Sequence, residues 1–153
     1  MKTPPAVSGL RQLAVNHVHD LIALLLGATR DAADAATDRG LPAARLRAAK
    51  TYAIENCQQR DIAVGVVASQ LGITPRHLQR LFEMGGTTFS AFLLSQRLAR
   101  AHRMLCDAQH NGRGVGSIAY GAGFGDLSYF NRCFRKQYGL TPTDIREANA
   151  ENG

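Results

Sequence analysis

Apolar residues recur at intervals of three and four along most of the chain, and strict alternation is nearly absent, so the pattern predicts helices and no sheet. Leu10, Leu13, His17, Leu21 and Leu24 place a helix at about 8–26. Leu46, Ala49, Ala53 and Cys57 place another at about 43–59, after an Ala/Asp-rich connector, GATRDAADAATDRGLP. A helix expected at 63–71 stops at Gly72. Thr74 and Pro75 then supply a cap and a first helical residue for a helix reaching 84. GGTTF breaks the chain before a long helix at about 88–108, whose inward stripe reads Ala91, Leu94, Leu98, Ala101, Leu105 and Ala108. Beyond the linker QHNGRG, helices are expected at 115–122, at 126–138 and, past the Thr141-Pro142 cap signal, at 142–150. The chain therefore reads as all-α.

Two stretches share a plan. ASQLGITPRHLQRLFEMGG and AYGAGFGDLSYFNRCFRKQYG align Ala68 with Ala119, Gly72 with Gly123, and Arg80-x-Phe82 with Arg132-x-Phe134, with one residue inserted in the second turn. Each is a short helix, a tight turn after glycine, and a helix with one apolar face, which is the helix-turn-helix plan. In the first unit Leu78, Leu81 and Phe82 face inward, leaving Arg76, Gln79, Arg80 and Glu83 outward. In the second, Phe130, Cys133 and Phe134 face inward, leaving Ser128, Asn131, Arg132 and Arg135 outward. Arg bonds guanine in a two-point fork, Gln and Asn bond adenine, and Leu127 near the helix start can touch a thymine methyl. A solvated face would be polar too, but such faces mix Glu with Lys, whereas these outward sets hold four Arg to one Glu.

Charge sharpens this reading. The net charge is +6, yet residues 1–44 hold four basic and four acidic side chains. Residues 76–136 hold nine Arg or Lys against three acids, so the whole excess lies there and points to a polyanion partner. At 153 residues, 45% hydrophobic and 20% charged, the chain fits one medium domain or two small ones sharing a core, and does not fit disorder. Cys57, Cys106 and Cys133 lack CxxC spacing and each falls in an apolar helical pattern, as buried thiols of a reducing cytoplasm do. No stretch approaches the ~20 apolar residues of a membrane span. HDLIALLLGA is too short and too late for a signal peptide, and MKTPPAVSG reads as a flexible lead-in.

The chain resembles the C-terminal part of AraC/XylS-type transcriptional regulators over roughly residues 45–147. The resemblance is carried by ASQLGITPRHLQRLFEMGGTTFSAFL, by Arg97-Leu98-x-x-Ala101 in RLARAHRML, and by IAYGAGFGDLSYFNRCFRKQYGLTPTDIR. It implies two helix-turn-helix subdomains joined by a long linker helix: the first at about 63–85, the linker at about 88–108, the second at about 115–138, within a DNA-binding domain spanning 45–153. Residues 1–44 would be a helical remnant of the preceding effector and dimerisation domain, and the Leu10–Leu24 helix either a dimerisation element or an orphaned core face. The implied partners are double-stranded promoter DNA, RNA polymerase, and a second copy through the N-terminal helix, in a bacterial cytoplasm and with no membrane, cofactor or metal. There are departures. Ala63 stands where the family often has a Ser/Thr cap, and Gly65 lies inside that helix at a cost of about 1 kcal/mol relative to Ala. Ile145 replaces the usual aromatic before Arg146. Leu127 and Ser128 offer few strong donors, so base reading in the second unit rests mainly on Asn131 and Arg132.

The expected mechanism places the 75–84 and 126–138 helices in successive major-groove segments about 34 Å apart, one helical turn of DNA. The rigid 88–108 helix sets that spacing, and bending of the DNA meets any mismatch with a straight duplex. Arg76, His77, Gln79, Arg80, Leu127, Ser128, Asn131 and Arg132 are the candidate base contacts, and Arg97, Arg100, Arg103 and Arg135 the candidate phosphate contacts. An enzyme is disfavoured. A dinucleotide loop needs Gly-x-Gly-x-x-Gly after a strand, but a helix precedes Gly121 and Asp126 takes the sixth position. His17 and His19 do not share a helical face, and His102 and His110 have no evident carboxylate or cysteine partner. The remaining alternative is a helical protein-interaction module without DNA binding, which a salt-dependent gel shift on random duplex would separate.

Overall fold

The computed structural model describes residues 40–150. These hold seven α-helices, one 3-10 turn and no strand, so the all-α expectation holds across the described residues. The expected 8–26 helix lies outside them. Helix α1 covers residues 40–56. It is followed by α2 (Val64–Gln70), α3 (Pro75–Met84), α4 (Phe89–Cys106), the 3-10 turn Ala108–His110, α5 (Val115–Gly121), α6 (Leu127–Tyr138) and α7 (Pro142–Ala150). Expected boundaries agree within about three residues. The largest misses are at the two ends of α1, which starts three residues early and stops three early; past its end Cys57 and Gln59 present their carbonyls to another part of the chain.

Two cores form, one per helix-turn-helix unit. Ala49, Ala53 and Cys57 pack with Ile62, Val67, Ala68, Leu78, Phe82, Phe89 and Leu93. Leu98, Ala101 and Leu105 pack with Ile118, Ala119, Ala122, Phe124, Phe130 and Phe134. Aromatic rings give the second core its shape. Phe124 and Phe130 lie 4.9 Å apart, Phe130 and Phe134 5.4 Å, and Phe134 and Tyr138 4.7 Å, in the tilted geometry that ring quadrupoles favour.

Helix α4 belongs to both cores, and here the expected stripe needs correction. Phe89 and Leu93 serve the first core and Leu98, Ala101 and Leu105 the second, while Ala91 and Ala108 are exposed. At 100° per residue, Leu93 and Leu98 are separated by about 140° around the axis. One continuous stripe therefore cannot describe a helix packed on two bundles. The thiols also differ from expectation: Cys57 is buried and Cys133 half-buried, but Cys106 is exposed.

Candidate nucleic-acid interface

The internal repeat is built twice with the same hydrogen bonds. At the end of α2, Gly72 N–H donates to Ser69 O at 3.1 Å and Ile73 N–H to Ala68 O at 3.0 Å. At the end of α5, Gly123 N–H donates to Tyr120 O at 3.0 Å and Phe124 N–H to Ala119 O at 3.1 Å. Both glycines have positive φ, +65° at Gly72 and +101° at Gly123, a backbone region side chains disfavour. Ala68 and Ala119 are wholly buried, so the two short helices press close to the helices they support. Each reading helix then starts on a side-chain cap: Thr74 Oγ1 accepts from His77 N–H, and Asp126 Oδ1 from Tyr129 N–H.

The capped helices present the polar faces expected of them. Arg76, Gln79, Arg80 and Glu83 on α3 are exposed, over buried Leu78, Leu81 and Phe82. Ser128, Asn131, Arg132 and Arg135 on α6 are exposed, over buried Phe130 and Phe134. Two candidate base contacts are turned from solvent. His77 is half-buried and its Nε2 is enclosed without a protein partner. Leu127 is half-buried and packs against the second core, leaving little of it for a thymine methyl.

The candidate phosphate contacts divide. Arg135 and Arg103 are exposed. Arg100 is half-buried, with an enclosed Nε that has no protein partner. Arg97 departs from expectation. Its Nε donates to Cys57 O at 2.8 Å and its Nη2 to Gln59 O at 2.7 Å, across about forty residues of sequence. Burial pulls its pKa below the usual arginine range, with Cys57 acting the other way, but a guanidinium remains charged at any physiological pH.

Between the two units lies an open cleft of about 590 Å³, bordered by Gln79 and Glu83 of α3, Ser90 and Arg97 of α4, and Tyr129 of α6. Tyr129 is a candidate that sequence reasoning missed. It sits three residues before Arg132 on the outward side of α6, is 45% exposed, and its ring lies 6.4 Å from Phe124. Its hydroxyl is held above the ordinary tyrosine range, first by a hydrogen bond with the Cys133 side chain and then by burial. Its signal in the sequence was positional: the third residue after a capping Asp faces the same side as the residue three further on.

Two histidines acquire partners that the sequence reading missed. His110 Nδ1 lies 3.2 Å from Asp107 Oδ2, and His102 Nδ1 lies 3.8 Å from Cys106 Sγ, which also accepts from Asn149 Nδ2 at 3.3 Å. Cys106 is the last residue of α4. Among the described residues no group of three or more His, Cys, Asp or Glu could hold a metal ion, and no helix is long and apolar enough to cross a membrane.

A family model described as a helix-turn-helix domain matches residues 67–148, more than half of the chain, and spans both units. The chain belongs to the AraC/XylS-type family of helix-turn-helix transcription regulators. It is 36% identical to the transcriptional activator RhrA of Rhizobium meliloti (strain 1021) over 138 residues, 90% of this chain and 42% of RhrA. It is 33% identical to the transcriptional activator NphR of a Rhodococcus species over 99 residues, 65% of this chain and 29% of NphR. The chain thus spans less than half the length of these relatives. A solved AraC-type regulator from Chromobacterium violaceum superposes with a TM-score of 0.62 at 26% identity, covering 71% of this chain and 95% of that one. Against the AraC/XylS pattern, Ala63 provides no side-chain cap to α2, as the sequence implied, and Ile145 fills the aromatic position by packing on the second core.

Proposed function

We propose that the chain is the DNA-binding part of a transcription activator, and that it reads two successive major-groove segments of one duplex with α3 and α6. The observation carrying this is the duplicated capped turn, which exposes Arg76, Gln79 and Arg80 on one helix and Asn131 and Arg132 on the other. Arg80 and Arg132 suit guanine, and Gln79 and Asn131 suit adenine. Ser128, and the remaining edges of His77 and Leu127, border those contacts. Arg135, Arg103 and Arg100 supply phosphate contacts, which position the helices and carry no sequence information. Residues 1–44 belong to a separate effector and dimerisation region, and RNA polymerase is the protein partner that an activator requires. RhrA and NphR, each named as an activator, support that output, and a regulatory role in the bacterial cytoplasm follows from the same family.

The test is a gel shift with duplexes selected from a random pool. Arg80→Ala and Arg132→Ala are each expected to weaken the selected duplex by ~1–3 kcal/mol and to relax preference at particular base pairs. Arg135→Ala is expected to weaken all duplexes alike and to lower the salt slope by about one. Equal loss on selected and random duplexes for Arg80→Ala would remove its base-reading role. A wild-type chain with no salt-dependent duplex binding would leave the protein-interaction alternative standing.

A further inference from the structure

Residues 57–60, between α1 and α2, form a junction on which the second helix-turn-helix unit docks. Three contacts converge there. Arg97 reaches from α4 and bonds the carbonyls of Cys57 and Gln59. Gly123, in the turn between α5 and α6, passes so close that an added Cβ would lie 2.4 Å from Cys57 O and 2.8 Å from Arg97 Nε. Arg60 reaches the other way and lies 5.0 Å from the centre of the Tyr120 ring on α5, a cation–π contact. Cys57 belongs to the first core, whereas Tyr120 and Gly123 sit on the α5 end and turn of the second unit.

Helix α4 by itself fixes distance along its axis. Each unit, however, packs on its own face of that helix, and small rolls of either unit would swing its reading helix through the groove. Planar guanidinium forks bond two acceptors in a fixed direction, so Arg97 restrains roll as well as distance.

We infer that Arg97, together with the Gly123 passage and the Arg60–Tyr120 contact, locks the angle between α3 and α6 and so sets the spacing of base pairs that the protein accepts. Arg97 is then a positioning residue and not the phosphate contact its place in an arginine-rich helix implies. This rests on the two-segment reading proposed above.

The experiment uses the best duplex recovered by selection, remade with one or two base pairs inserted or deleted between the two read segments, and measures affinity across a salt series. The wild-type chain is expected to discriminate against a one-base-pair change by roughly tenfold, as against a mismatched pair. Arg97→Ala should flatten that discrimination to about twofold while leaving the salt slope unchanged, because no phosphate contact is lost. Arg97→Lys keeps the charge but cannot bond both carbonyls as a fork, and should behave like Arg97→Ala. Arg60→Ala, at the protein surface, should flatten the profile partially and keeps the question open to measurement even if the Arg97 variants unfold. A uniform loss at every spacing with a salt slope lower by about one, rescued by Arg97→Lys, would overturn the inference in favour of a phosphate contact. Unchanged spacing discrimination in folded Arg97→Ala, or in Arg60→Ala where the Arg97 variants do not fold, would also overturn it. A wild-type chain that binds no duplex would instead defeat the reading beneath it.

Discussion

Helix α2 starts without a side-chain cap, and that makes it the place to add stability without touching a reading residue. Ala63 already has the extended backbone of a capping residue, φ −138° and ψ 165°. Its carbonyl accepts from Val66 and Val67 N–H, but it has no side-chain oxygen to satisfy a further first-turn donor. Thr74, Thr88 and Asp126 each supply such an oxygen to α3, α4 and α6. Two residues on, Gly65 is helical and exposed, and an added Cβ meets no atom within 4 Å. Ala63→Ser should therefore stabilise by ~1 kcal/mol through the new cap. Gly65→Ala should add ~0.5–1 kcal/mol, chiefly by narrowing the unfolded chain's conformations. The positions share one helical turn and can couple, so the double variant should gain ~1–2 kcal/mol, a rise in melting temperature of roughly 4–10 °C for a domain of this size. Urea unfolding followed by circular dichroism gives both numbers, with the denaturant slope unchanged. The Arg80-dependent base preference should be unaffected. If Ala63→Ser leaves the midpoint where it was while Gly65→Ala raises it, residue 63 is not the cap of α2. If Gly65→Ala lowers it, the backbone there is not helical.

Two further outcomes follow from local geometry. Gly72→Ala and Gly123→Ala both force a side chain into positive φ, costing ~1–2 kcal/mol, but only at Gly123 would the new methyl strike a backbone carbonyl, so its unfolding midpoint should fall by clearly more; equal losses would show that the Cys57 carbonyl yields freely. Asp144 accepts from Thr141 N–H at 2.8 Å while Thr141 Oγ1 accepts from Asp144 N–H at 3.2 Å, and hydrogen bonding of the carboxyl to the Thr141 side chain first, and to its backbone N–H second, holds the carboxyl below the usual range. A depressed folded pKa makes its contribution complete above the unfolded value near 3.9 and lost as pH falls through the lower folded value. Amide exchange at the start of α7 should therefore rise below about pH 4 in the wild type, and Asp144→Asn should remove that acid-side change.

The sequence made the repeated units legible because each depends on residues whose chemistry leaves few options. A glycine must occupy a positive-φ turn, a small residue must sit where helices cross closely, and Thr or Asp must end the turn as a cap. Gly72, Ala68 and Thr74 meet those needs in one unit, and Gly123, Ala119 and Asp126 in the other. Periodicity also separated the inward and outward faces of α3 and α6, because each packs on a single core. It failed on α4, where the buried face changes from Phe89 and Leu93 to Leu98, Ala101 and Leu105 as the helix passes between cores. The carbonyl bonds of Arg97 are hidden from the sequence for a related reason. A long cation in an arginine-rich helix looks the same in sequence whether it faces solvent or turns to carbonyls forty residues earlier. Gly121 and Gly125, unlike Gly123, meet no backbone: Gly125 has open space around it and Gly121 meets only the end of Met104, at 3.5 Å.

The two copies of the motif differ where one is used as an interface. Gly72 turns in open space, and one residue, Ile73, separates it from its cap. Gly123 turns against Cys57 and Arg97, and two residues, Phe124 and Gly125, separate it from its cap. The extra residue lies in the turn that meets the other unit, and Phe124 next to it is buried in the second core. The extra residue, Gly125, follows Phe124 and lies between the turn that passes the Cys57 carbonyl and the Asp126 cap that starts α6. The insertion that breaks the repeat in sequence thus falls in the turn that meets the other unit. A duplicated reading unit becomes a two-segment reader only when one copy is held at a fixed angle to the other, and the departure from strict repetition falls at that contact.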